Sequence, residues 1–143
     1  MKCKLLVLLI LLLVPVLALA DTHTVENENL LLTIDDTTLY MTVTDKASGK
    51  TFASSIEPAS GKLTGWKAFV ASPLALDVVD GQSVITKQQA LMGNQVAIDF
   101  KLLDNGADAV VDFTALGVKI KLQIRLEGDS IAITMPKDGL EEY

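Results

Sequence analysis

Val118-Lys119-Ile120-Lys121-Leu122-Gln123-Ile124-Arg125-Leu126 alternates without a break, aliphatic at every even position and polar at every odd one. Side chains of an extended strand point to opposite faces in turn, so this run offers one face to a core and the other to water. The same period of two governs Val96, Ile98, Phe100 and Leu102, which alternate with Gln95, Ala97, Asp99 and Lys101, and it returns in Ile131, Ile133 and Met135 after Gly128-Asp129. These stretches read as neighbours in an antiparallel meander. No window of eleven residues after Asp21 keeps a 3.6-residue apolar stripe, so the domain is expected to be all-β.

Working outward, Asp104-Asn105-Gly106-Ala107-Asp108 separates two alternating runs, and its Asn105-Gly106 step is a strong hairpin signal because both residues tolerate positive φ. Further strands are expected at Leu30 to Ile34, Leu39 to Thr44, Thr51 to Ala53, Leu74 to Val79 and Ser83 to Leu91. Turns are expected at Asp35-Asp36, Asp45 to Gly49 and Asp80-Gly81, and a loop at Ile56 to Gly65, which carries Pro58, Ser60 and Gly61. Strands at this spacing without an internal repeat favour an antiparallel β-sandwich over a propeller or solenoid.

The chain is 50% hydrophobic, but 17 of its first 20 residues are apolar. Lys2 and Lys4 precede an aliphatic run from Leu5 to Val14, Pro15 breaks it, and Ala18-Leu19-Ala20 forms the small-x-small pattern of a cleavage site. Residues 1–20 therefore read as a signal peptide and 21–143 as a secreted, extracellular β-sandwich domain, with no stable membrane span once the leader is cleaved. Cys3 lies inside the leader, so the mature segment has no cysteine for a disulfide or thiolate metal site. Two of the 12 basic residues also lie in the leader, leaving 10 against 18 acids, a charge of −8. An acidic chain with no concentrated Lys/Arg stripe lacks the counterion-release term that drives nucleic-acid binding.

Chemistry-bearing residues are sparse. His23, near the mature N-terminus, reads as frayed and solvated, with no carboxylate in sequence to hold it in a triad. Asp35-Asp36 is best explained as turn capping, and the acidic residues around Asn105-Gly106 as a hairpin and not a calcium loop. No phosphate loop or dinucleotide fingerprint occurs, and no catalytic residue, metal site or cofactor is expected. Trp66 and Tyr40 are the candidate carbohydrate-binding residues, with Phe69 beside them, because aromatic faces stack on sugar rings. The alternative for Trp66, which follows Gly65, is a core or lid role. Lys119, Lys121, Gln123 and Arg125 form a basic row on a wet face, suited to an anionic polysaccharide or to pairing with Asp99 or Asp112.

Three segments together carry a family likeness: Val25 to Leu32, the stretch Leu39 to Phe52 with its Asp45-Lys46-Ala47-Ser48-Gly49-Lys50 turn, and Ile131 to Pro136 followed by Asp138, Leu140 and Glu141. The pattern resembles the galactose-mutarotase-like β-supersandwich that precedes glycosidase-like barrels in large secreted bacterial proteins of unknown function. The resemblance implies half of such a supersandwich, either a fragment or a half-length module, and it brings no catalytic residue onto this sequence. The expected function is thus a non-catalytic exported module, structural or weakly binding a glycan or cell-wall polysaccharide, with a further domain or chain completing the sandwich. The rival expectations are a protein-interaction module using an exposed sheet edge and a small carbohydrate-active enzyme.

Overall fold

The computed structural model describes residues 21–56, 65–79, 85–93 and 96–143. The leader with Cys3, most of the loop Ile56 to Gly65, the Asp80-Gly81 turn and the start of the strand expected from Ser83 lie outside the described residues. The first sheet is a meander of β1 (Thr22–Glu26), β2 (Leu30–Asp35), β3 (Met41–Asp45) and β4 (Thr51–Ala53), each antiparallel to the next. A small antiparallel pair, β5 (Ala75–Val79) with β6 (Ile85–Ala90), is accompanied by a six-residue helix α1 (Trp66–Ala71). The second sheet runs in the order β10-β9-β8-β7. Its strands are β7 (Val96–Leu103), β8 (Gly106–Phe113), β9 (Val118–Glu127) and β10 (Ser130–Thr134), and β11 (Leu140–Glu142) pairs with the other half of β9. Among the described residues no helix is long and apolar enough to cross a membrane.

The two larger sheets face each other as an antiparallel β-sandwich, and alternation decides which side chains meet. Leu32 and Ile34 of β2, Val111 and Phe113 of β8 and Ile124 of β9 are almost fully buried in one apolar cluster. Each contributes about 1.5–3 kcal/mol by leaving water. The pairing Val111↔Ile120 and Ala107↔Ile124 puts the apolar parity of β8 and β9 on the same inward face. The long alternating strand, β9, is the second strand of its sheet, flanked by β10 and β8.

Turn chemistry sets the register. The β2–β3 and β3–β4 connections share one device. Asp35 and Asp45 each accept hydrogen bonds from the turn that follows, and a residue in the left-handed region closes the loop by donating its N–H to the aspartate carbonyl. That residue is Gly49 (φ 69°) in one loop and Leu39 (φ 53°) in the other. Leu39 accepts the unfavourable backbone because its side chain is only 2% exposed in the core. At the β7–β8 hairpin the two loop residues are Asp104-Asn105, flanked by the pair Leu103↔Gly106. Among the described residues only Leu39 has positive φ without being glycine, so Asn105 does not use the freedom the sequence reading gave it. Gly106 is required for space instead: a Cβ there would sit 1.9 Å from the Ile124 carbonyl oxygen.

His23 corrects the expectation of a frayed terminus. Val25 is a core residue of β1, so His23, two positions earlier, also faces inward. Its ring stacks on Phe100 of β7 at 5.0 Å between centroids, and Nε2 lies 3.0 Å from the Asp36 carboxylate. The contact closes the β1/β7 flank of the sandwich.

Candidate functional groove

Successive turns of a meander alternate between the two ends of its sheet. The β1–β2 turn and the β3–β4 turn therefore share one end, and the β2–β3 turn lies at the other. The Gly128-Asp129 turn between β9 and β10 joins the first two. Asn27 donates its side-chain N–H to the Gly128 carbonyl at 2.9 Å, and Asn29 donates to the Asp129 carboxylate. Lys46 donates its Nζ to the Asn27 carbonyl at 2.6 Å and pairs with the Glu26 carboxylate at 2.7 Å. Beside these linked turns, along the flank between β4 and β10, opens a groove of about 1020 Å³. Leu30, Val43 and Ile131 form its apolar floor, Phe52 adds an aromatic face, and Glu28, Asn29, Asp45, Lys46, Asp129 and Ser130 supply polar groups. Phe52 pairs with Val43 across the sheet and so has inward parity, yet it is 67% exposed because β4 is the edge strand.

The polar lining is acidic in effect. Ser48 donates its hydroxyl to Asp45 at 2.6 Å and the Ala47 N–H adds a bond at 3.0 Å, which hold the Asp45 carboxyl below its ordinary range. It is an ionised acceptor at neutral pH. Lys46, the cation of the lining, is engaged by Glu26, so Glu28, Asp45 and Asp129 dominate the field at the groove. Carboxylates with spare lone pairs beside an aromatic face suit a ligand that donates hydroxyl or ammonium protons and has an apolar side.

The residues singled out from sequence fall elsewhere. Trp66 is the first residue of α1, 83% exposed and packed edge-on against Phe69 at 6.0 Å, so it is not buried in the core. Tyr40 is half-buried at the far end of the first sheet, where its carbonyl accepts the Asp35 N–H at 3.0 Å. No ring contact joins Tyr40 to Trp66, and neither lines the groove. The basic row of β9 is matched by acids. Arg125 pairs with Asp108, Lys121 with Asp138 at 2.9 Å, and Lys119 lies 3.9 Å from Asp112 and 4.6 Å over the Tyr143 ring. The Tyr143 hydroxyl donates to Asp112 at 2.7 Å, which raises its pKa, and the Asp138 bond raises that of Lys121 while lowering that of Asp138.

Asp35 caps its own turn, through Thr37 and Thr38, as expected. Burial pushes its pKa up, but these hydrogen bonds outweigh burial and leave it below the ordinary value. Asp36 does more than cap, since it holds both His23 and the Asp21 N–H. Sequence reasoning missed Phe52. Its signal was present: it sits one residue beyond Thr51, in strand parity with Val43, at the end of the Asp45 to Lys50 turn. Among the described residues no group of three or more histidine, cysteine, aspartate or glutamate side chains is placed to hold a metal ion.

Fold and groove together define an antiparallel β-sandwich with one closed flank and one open, acidic-rimmed flank. No family model, curated protein or solved structure matches the chain.

Proposed function

We propose that the protein is an exported, non-catalytic β-sandwich module that holds a neutral or amino-sugar glycan in the groove between β4 and β10. The observation that carries this reading is Phe52, an inward-parity aromatic ring left 67% exposed beside carboxylate and amide oxygens. Its ring takes the apolar face of a sugar, while Asp45, Asp129 and Glu28 accept hydroxyl or ammonium protons. The same carboxylates repel an anionic polymer, and the basic row that suited one is taken up by its own acids. The likeness to the region in front of glycosidase-like barrels supports an accessory role beside a carbohydrate-active partner domain or chain.

Affinity electrophoresis through gels containing chitosan, xylan, mannan or pectin tests the proposal. Retardation by at least one of the first three, lost in Phe52→Ala and kept in Trp66→Ala and Tyr40→Ala, is expected. Passage without retardation through all of them, or retardation that Phe52→Ala leaves unchanged, overturns it.

A further inference from the structure

We propose that the outer edge of β10 pairs antiparallel with β10 of a second copy of this chain, merging two second sheets into one. This surface adjoins the groove, whose lining includes Ser130 and Ile131, but the edge pairing is argued from the backbone of β10 and does not depend on the sugar reading. β10 ends its sheet, and among the described residues no strand pairs with its outer side. An open edge is normally guarded by charge, by a bulge or by shortness. β7 carries Asp99 and Lys101, β11 carries Glu141 and Glu142, β1 ends at Glu26, and β4 has three residues. Ser130-Ile131-Ala132-Ile133-Thr134 has no charged residue at all. The guard begins just after it. Pro136 to Gly139 form a turn, with the Gly139 N–H on the Pro136 carbonyl at 2.8 Å and the Lys121 N–H on the Gly139 carbonyl at 2.7 Å.

The backbone fits this partner. β9 and β10 close on the pair Glu127↔Ser130 around a two-residue turn, so Ser130, Ala132 and Thr134 direct their N–H and C=O groups toward β9. Ile131 and Ile133 direct theirs outward. A two-fold axis at Ala132 sets Ile131 of one copy opposite Ile133 of the other, and the outward groups of both strands then meet in reciprocal hydrogen bonds. The side chains fit it as well. Ser-Ile-Ala-Ile-Thr reads almost the same in both directions, as an isologous contact demands, with a hydroxyl residue at each end and isoleucines facing isoleucines. Ile133 and Met135, half exposed at 51% and 54%, gain apolar neighbours from the second copy. Glu127 and Asp129 flank one end of the segment and Lys137 the other, so antiparallel pairing joins unlike charges whereas parallel pairing joins like ones.

Sedimentation velocity over a dilution series of the full chain tests this. A reversible dimer is expected at high concentration. Ile133→Pro removes an outward N–H that β9 does not use, and Ile133→Lys places like charges close together across the axis. Both are expected to shift the protein to monomer with an unchanged far-UV circular dichroism spectrum. Ala132→Cys in a Cys3→Ser background is expected to form an intermolecular disulfide on mild oxidation, because residues facing each other at a non-hydrogen-bonded position lie about 4.5 Å apart at Cα. A monomer at every concentration, or a dimer that Ile133→Pro leaves intact, overturns the proposal.

Discussion

Leu39 and Gly49 occupy the same closing position of two successive hairpin loops, and substitutions there separate backbone strain from burial. Leu39 is 2% exposed with φ 53°, whereas Ile34, in the interior of β2, is fully buried in ordinary strand geometry. Truncating either to alanine removes buried aliphatic carbon and costs about 2–5 kcal/mol. Going on to glycine loses one more buried carbon, about 0.8 kcal/mol, and adds about 0.5–1 kcal/mol of backbone entropy. At Ile34 the glycine variant should therefore be less stable than the alanine variant by about 1.5 kcal/mol. At Leu39 glycine also relieves a left-handed conformation that costs a side-chain-bearing residue roughly 1–2 kcal/mol, so its gap should shrink to near zero. Gly49→Ala is the converse. A Cβ there meets nothing within 4 Å, so its cost of about 1 kcal/mol is conformational alone. Urea unfolding followed by circular dichroism, with all five variants compared at a common m-value, reads these differences. Equal glycine-to-alanine gaps at Leu39 and Ile34, together with a neutral Gly49→Ala, would refute the argument.

Gly106→Ala is expected to cost at least about 3 kcal/mol, the top of the usual overpacking range, because its Cβ would fall 1.9 Å from the Ile124 carbonyl oxygen and 3.0 Å from the Arg125 Cα. A loss below about 1 kcal/mol by chemical denaturation contradicts the close approach of β8 to β9. Asp35 supplies a pH dependence. Its folded pKa lies below the ordinary 3.8, so the folded state binds fewer protons there, and its contribution is complete above that value and disappears as pH falls through the folded pKa. Asp35→Asn should flatten the acid limb of a urea-midpoint profile, and an acid limb identical to that of the unaltered protein counts against the capping role.

Strand existence was readable because period two needs only local information. Val118 to Leu126, Val96 to Leu102 and Thr51 to Ala53 became strands with nearly the boundaries their alternation implied. Helix α1 was not readable. Six residues of Trp-Lys-Ala-Phe-Val-Ala are too short to establish a 3.6-residue stripe, and the helix has no capping side chain to mark its start. β1 was not among the expected strands: the parity that buries Val25 also turns His23 inward, but the partners that order the ring come from the β2–β3 turn and from β7. The groove was the least legible part. Its polar residues, Glu28, Asn29, Asp45 and Asp129, are turn residues whose local chemistry fully accounts for their presence in sequence. Only the stacking of two sheets brings their turns to one end, and no local pattern encodes that.

The unequal treatment of the two flanks supports placing both proposed contacts, the sugar and the second copy, on the β4/β10 side. On the β1/β7 side the inward-parity residues are covered except at one end of β7: His23 lies on Phe100 and is held by Asp36, Asp99 and Lys101 keep the β7 edge polar, and only Leu102, 45% exposed, is left open among the described residues of that edge. On the opposite side the same parity leaves Phe52, Ile133 and Leu140 more than half exposed, although each pairs directly with an inward-facing residue on the next strand. A chain selected only to fold has no reason to spare polar residues there, since an exposed edge position can be made polar at little cost in stability. Retaining aromatic and aliphatic side chains beside an uncharged edge strand follows naturally if that flank is covered in use, by a sugar face on Phe52 and by a second β10 along Ser130 to Thr134.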